Sequence, residues 1–288
     1  MAGRICRDAR TARHPPGRGC GRGALFLDLA DPRPGAATLS AGWLAIVGLG
    51  PGAARMLTPE VTEAIGQASD VIGYIPYVAR VAPRAGLTLH PSDNRVEIDR
   101  AGHALRLAAA GGRVVVVSSG DPGVFAMAAA VFEALEAGPD HWRDLDIRVL
   151  PGITAMLAAS AAAGAPLGHD FCAINLSDNL KPWDVIERRI ALAAAADFAI
   201  AFYNPRSRAR PDGLDRAFAV LRETCDDARP VLFARAVTTP EQRLRIVPLP
   251  QARGEMADMR TMVIIGSSRT RLIDRAAGPL LYTPRSIS

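Results

Sequence analysis

Three stretches of the sequence combine glycine with proline or small polar residues directly after an apolar run: Gly48-Leu49-Gly50-Pro51-Gly52-Ala53, Ser118-Ser119-Gly120-Asp121-Pro122-Gly123 and Pro151-Gly152-Ile153-Thr154-Ala155. Glycine lets the backbone come close to a ligand. The first stretch reads as GxGxxA, the fingerprint of a dinucleotide-binding turn. Three features oppose NAD there. Pro51 lacks one of the N–H groups that would cradle a pyrophosphate, and the next helix starts only at Pro59, with Thr58 as its cap. Asp70 opens the second strand, where a ribose-binding acid should close it. Each turn alone is an ordinary strand-to-helix connection. In an open α/β sheet, however, loops at the carboxyl ends of strands line the ligand crevice, so three such turns predict one shared pocket.

The elements that must position these turns are short β-type runs alternating with helical ones. Strands are expected over 44–47, 71–74, 113–117, 147–150, 171–174, 198–203, 231–237, 243–247 and 262–265. Helices are expected over 59–68, 98–110, 124–137, 153–163, 183–195 and 214–224. Alternation of this kind means α/β layers. The runs near Val115 and Ile200 are apolar without alternation, as in strands covered on both faces. The last three strands have little helix between them, which predicts a mixed sheet with antiparallel pairs. The length fits two α/β lobes, one over 43–160 and one over 161–278, followed by a tail at 279–288.

The 288 residues carry a formal charge of +5 and a pI near 9.4, a balance that invites an anionic polymer as partner. Location removes that inference. Residues 1–42 hold seven arginines (Arg4, Arg7, Arg10, Arg13, Arg18, Arg22 and Arg33) against Asp8, Asp28 and Asp31, so four of the five units lie there. This Arg/Gly/Pro-rich segment lacks periodicity and reads as a disordered extension, while the remaining body is nearly neutral and has no basic stripe for nucleic acid. Cys6, Cys20, Cys172 and Cys225 show no paired or CxxC spacing, which fits a reducing cytoplasm and writes no zinc or iron–sulfur site. The longest uncharged run, 149–168, is broken by Pro151, Gly152, Gly164, Pro166 and Gly168 and reads as a loop plus a buried helix, not a membrane span.

In this order GLGPG, SSGDPGVFAMA, PGITA, LSDNLKPW, FYNPRSRAR, ARAVTTPEQ and TMVIIGSSRT resemble the tetrapyrrole methylases of corrin biosynthesis, over about residues 43–273. YNPRS and LSDNLKPW are the most telling pieces, because neither is a generic cofactor loop. The resemblance implies a two-lobed α/β tetrapyrrole-methylase fold, with a parallel-type sheet in the N-terminal lobe and a mixed sheet in the C-terminal lobe. It implies a homodimeric S-adenosylmethionine-dependent methyltransferase of cobalamin biosynthesis that needs no metal. Its activity would be methylation of precorrin-3B at C17 with ring contraction to precorrin-4. The alternatives within the fold are methylation at C11 or C20, the cobalt-containing C17 substrate, and a ribosomal RNA methylase. From other classes, a NAD-dependent oxidoreductase rests on GxGxxA alone, and an RNA-binding protein on the Arg-rich N-terminus alone.

Carried onto this sequence, the family's cofactor-binding positions are Gly48, Gly50 and Pro51, then Ser119, Gly120, Asp121, Val124 and Phe125, then Thr154 and Ala155. In the second lobe they are Asn204, Val237 and Met262. A methyl transfer from a sulfonium requires donor and acceptor held in line and dry, so the absence of GxSxG or a Cys/His pair is expected. A substrate rich in carboxylates calls for arginine, and Arg206, Arg208 and Arg210, alternating in an extended loop, would point to one side. Ring contraction needs proton transfer. Candidates are Asp121, Asp178, Asp93 and Glu97, although Asp178 reads first as a helix cap before Trp183.

Overall fold

The computed structural model describes residues 42–93 and 96–286. The expected extension at 1–42 falls, Gly42 apart, outside the described residues. In chain order the first half runs β1 (Trp43–Gly48), α1 (Pro59–Gln67), β2 (Asp70–Tyr74), α2 (Ile75–Val78), β3 (Thr88–Ser92), α3 (Glu97–Ala109), β4 (Arg113–Ser118), α4 (Met127–Ala137) and β5 (Asp146–Leu150). These strands form one sheet in the order β3-β2-β4-β1-β5, and every pairing is parallel. The valines of β4 and the residues Leu44 to Val47 of β1 are fully buried, because helices cover both faces of the two central strands. Thr58 caps α1, its hydroxyl accepting the Val61 N–H at 3.2 Å, with Pro59 at the first helical position.

The second half comprises α5 (Ala155–Ala163), β6 (Gly164–Ala165), β7 (Phe171–Asn175), α6 (Trp183–Ala195), β8 (Ala199–Tyr203), α7 (Gly213–Thr224), β9 (Pro230–Arg235), β10 (Arg243–Pro248), β11 (Thr261–Ile265), β12 (Arg271–Ile273) and β13 (Leu280–Tyr282). Its main sheet has the order β10-β9-β11-β8-β7, with β7 and β8 parallel and the other pairs antiparallel. This is the expected division into a parallel and a mixed sheet. A core of Ile186, Ile190, Phe202, Leu214, Phe218 and Leu221 fills the space between this sheet and helices α6 and α7. Among the described residues no helix is long and apolar enough to cross a membrane.

Both expected lobe boundaries move. Helix α5 packs on the second sheet: Ala158, Ala159 and Ala163 share a buried cluster with Ala201, Leu232, Ala234 and Ile264. The chain therefore leaves the first sheet at the turn after Leu150, ahead of residue 160. The expected tail is no tail, since β13 pairs with β12 and with β6, and Leu281 is completely buried. Its sequence gives no strand signal because it is three residues long; the pairing partners supply the order. The helix expected from Val124 starts at Met127, because the preceding residues continue the second glycine turn and Phe125 is left-handed (φ 52°). Strand β3 gave no signal either, being a short edge strand interrupted by Pro91.

Candidate active site at the junction of the two sheets

β1, β4 and β5 are parallel neighbours, so their carboxyl ends fall side by side and the three glycine turns that follow them meet. Gly50 and Gly120 exchange backbone hydrogen bonds of 3.1 and 3.0 Å, both in the left-handed region (φ 65° and 64°) where glycine carries no steric cost. A Cβ on Gly152 would lie 2.7 Å from the Gly48 carbonyl oxygen and closer still to that of Gly120, so the third turn fits only without a side chain. Asp121 ties the second turn to the third. One carboxylate oxygen accepts the Gly123 N–H at 2.8 Å and the other the Gly152 N–H at 3.0 Å. The shared pocket expected from the sequence thus has a geometric basis in the contact of its three turns.

The second sheet meets this array with one edge. Because β11 runs antiparallel to β8 and β9, its start lies beside their ends. Asn204, Val237 and Met262, far apart in sequence, are brought to that edge. Met262 and Val237 lie in one apolar cluster with Ala155, Met156 and Tyr203. Contacts bridge the halves directly: the Ala53 N–H donates to Thr238 Oγ1 at 3.1 Å, and the Phe125 ring stands edge-on to Tyr203 with centroids 5.1 Å apart. The Tyr203 hydroxyl lies 2.5 Å from Thr154 Oγ1 and accepts the Met156 N–H at 3.4 Å, and burial raises its pKa.

Backbone strain concentrates here as well. Among the described residues five that are not glycine have positive φ, and four of them, Phe125, Asn204, Ala236 and Thr238, lie at this junction. Left-handed backbone costs such residues roughly 1–2 kcal/mol each, and surroundings that enforce it are characteristic of functional sites. Asn204 is further fixed by donating from Nδ2 to Asn175 Oδ1 at 3.0 Å, which draws the loop after β7 to the same edge.

The other expected residues are less well gathered. Asp93 and Glu97 follow the edge strand β3, two strands and about 10 Å from β4, so they do not join the turns. Asp178 is not a helix cap: Pro182 precedes α6 without a side-chain cap, and Asp178 Oδ2 accepts the Trp183 indole N–H at 3.1 Å. The arginines do not alternate along an extended loop. Ser207 and Arg210 close a tight turn through hydrogen bonds of 3.2 and 3.1 Å, and Arg206 Nε donates to the Pro211 carbonyl at 3.2 Å. Arg208 is exposed, whereas Arg210 Nη1 is buried without a hydrogen-bond partner. Sequence reasoning missed Tyr203, although it stands inside the YNPRS stretch, and Thr238, inside ARAVTTPEQ. It also missed Arg80, for which no local pattern exists. The geometry disfavours a dinucleotide: α1 begins at Pro59, well past the first turn, and Asp70, at the opposite end of β2, is bound to His90 at 2.7 Å.

Comparison with known proteins agrees with this arrangement. Residues 44–253 match the tetrapyrrole (corrin/porphyrin) methylase family. Precorrin-3B C(17)-methyltransferase of a Sinorhizobium species is 54% identical over 245 residues, covering 85% of this chain and 96% of the relative. A probable cobalt-factor III C(17)-methyltransferase of Salmonella typhimurium is 39% identical, covering 84% and 98%. The crystal structure of the methyltransferase CobJ superposes with a TM-score of 0.82 at 64% identity, covering 85% of this chain and all of that one. The fold recurs, at 22% identity and a TM-score of 0.61, in a uroporphyrin-III C-methyltransferase of Thermus thermophilus complexed with S-adenosyl homocysteine, over 78% of this chain and 97% of that one. By motif order, sheet topology and these likenesses, the chain belongs to the tetrapyrrole (corrin/porphyrin) methylases.

Proposed function

We propose that this chain methylates precorrin-3B at C17, with ring contraction to precorrin-4, in cobalamin biosynthesis. The observation that carries the reading is the meeting of three glycine turns with the strained ends of β8 and β9, in a chain 54% identical to a precorrin-3B C(17)-methyltransferase. The residues at the junction fit S-adenosylmethionine. Gly48, Gly50 and Gly120 pack the turns against one another, Pro51, Ser119, Thr154 and Ala155 of the same turns would meet its polar ends, and Val237 and Met262 supply an apolar wall. The donor brings an electrophilic methyl group, so the chain needs neither a nucleophile nor a metal for the transfer. Its own residues hold donor and acceptor in line and exclude water.

The buried, unpartnered Arg210 Nη1 supports a substrate carboxylate at the turn after β8, because an orphaned donor costs about 1–3 kcal/mol until an acceptor arrives. Arg206 and Arg208 flank it. Among the four candidate acids, Asp121 commits both oxygens to backbone N–H groups. Asp178 is exposed on the loop that Asn175 fastens to Asn204, and we assign it the proton transfer of ring contraction. The reading includes a cytoplasmic homodimer. The cobalt-containing C17 substrate is the second reading, favoured by relatives of lower identity such as the 39% identical one.

Incubation with purified precorrin-3B and labelled S-adenosylmethionine, followed by mass spectrometry and NMR of the product, tests the proposal. Methylation at C17 with the contracted ring is expected, and methylation at another carbon overturns it. The Asp178→Asn variant should accumulate C17-methylated material that is not contracted.

A further inference from the structure

Two arginines follow α2 four residues apart, and each gathers several backbone carbonyls. Arg84 Nη2 donates to Ile65, Gly66 and Ala68 at 3.1, 2.7 and 2.6 Å, satisfying carbonyls left open at the end of α1. Arg80 treats a turn the same way. Its Nη2 donates to the carbonyls of Leu49 at 2.5 Å and Gly52 at 3.2 Å, and its Nη1 to that of Gly50 at 3.3 Å. No carboxylate is among these partners: the cation is spent on peptide dipoles.

The consequence is best seen peptide by peptide. The Leu49–Gly50 unit gives its C=O to Arg80 and its N–H to the Gly120 carbonyl. The Gly52–Ala53 unit gives its C=O to Arg80 and its N–H to Thr238 Oγ1. Between them the Gly50–Pro51 unit has no N–H, and its carbonyl accepts from both the Gly120 N–H at 3.0 Å and Arg80 Nη1 at 3.3 Å. Glycine turns are otherwise the most freely rotating part of a chain. Here each of three peptide planes is fixed, and a planar guanidinium with several donors in a fork can do this where a single ammonium cannot. Arg80 is exposed as a residue, and partial desolvation of its guanidinium against the turn lowers its pKa, partly offset by Tyr77.

We infer that Arg80 is the positioning residue of the first glycine turn, fixing its peptide planes in the orientation that receives S-adenosylmethionine. The inference rests on the proposed reading of that turn as part of the donor site. Arg84 is its natural control, since it performs the same local task at the end of α1 and its hydrogen bonds go to Ile65, Gly66, Ala68 and Ala85, outside the three glycine turns.

The test titrates full-length Arg80→Met, Arg80→Lys and Arg84→Met with S-adenosylhomocysteine by calorimetry, alongside thermal melts and steady-state methyl transfer. Arg80→Met should weaken binding at least fivefold and raise the KM for the donor more than it lowers kcat. Arg80→Lys should recover part of the loss, and Arg84→Met should lower the melting temperature while binding within twofold of the unaltered chain. Weakening below fivefold in Arg80→Met, or equal weakening in Arg84→Met, overturns the inference. Should Arg80→Met fail to fold, Arg80→Lys must still bind measurably more weakly, and unchanged affinity there overturns it. Failure of the donor reading shows separately, as absence of binding by the unaltered chain.

Discussion

Adding one methyl group at Gly152 should separate the three glycine turns. The new Cβ would stand 2.7 Å from the Gly48 carbonyl oxygen, 0.7 Å inside the 3.4 Å at which ordinary contact begins, and nearer still to the Gly120 oxygen. Both obstacles are backbone, so neither can rotate away. Relief requires the third turn to withdraw, which breaks the Gly152 N–H bond to Asp121 and opens the Gly50–Gly120 pair. Three hydrogen bonds at about 1 kcal/mol each give a loss near 3 kcal/mol, at the upper end of the usual cost of overpacking. For a chain of this size that lowers Tm by roughly 6–12 °C. Donor affinity should fall more than tenfold, since roughly 1.4 kcal/mol of misplacement suffices for that. Calorimetric melting and titration with S-adenosylhomocysteine measure both. Gly66→Ala is the matched control: its Cβ meets open space on α1, so it should stabilise by about 0.5–1 kcal/mol and leave binding unchanged. A Gly152→Ala protein that melts and binds like the unaltered chain would refute the claim that the turns interlock.

Asp121→Asn keeps the shape of the second turn but leaves one of the two backbone N–H groups without an acceptor and the other with only a neutral one. It should weaken donor binding by about tenfold, read by titration. Tyr203→Phe preserves the edge contact with Phe125 yet orphans the buried Thr154 hydroxyl. A loss of about 1–2 kcal/mol in chemical denaturation, with weaker donor affinity, is expected. Acid stability should depend on Asp197: burial pushes its pKa up, but hydrogen bonds from Ser268 and the Arg229 guanidinium hold it below the ordinary value. Its contribution is therefore full above about pH 4 and lost as pH falls through the lower folded value, so the Tm gap between Asp197→Asn and the unaltered chain should close below that pH.

Much of the fold is written in local pattern. Apolar runs such as Val114 to Val117 and helices with caps such as Thr58 announce themselves, because side-chain periodicity and capping act over a few residues. The glycine turns are legible for the same reason, as is the prediction that they share one end of a parallel sheet. The pairing of β13 is not: its three residues become a strand only when Gly164 and Ala165 lie beside them. Nor is the placement of α5, an alanine-rich helix whose all-round apolarity gives no hint of which sheet it will cover.

The site divides along the same line. The sequence by itself determined which backbone stretches can approach a ligand, because that depends on the residue types within each turn. Only the tertiary structure decided how they are held: Thr238 reaching Ala53 across 185 residues, Tyr203 on Thr154, Arg80 on three carbonyls. A bond from a side chain to a distant backbone group requires nothing of the partner's residue type. Its partner can be any residue with a free N–H or C=O, and so it leaves no pattern to read until the chain has folded.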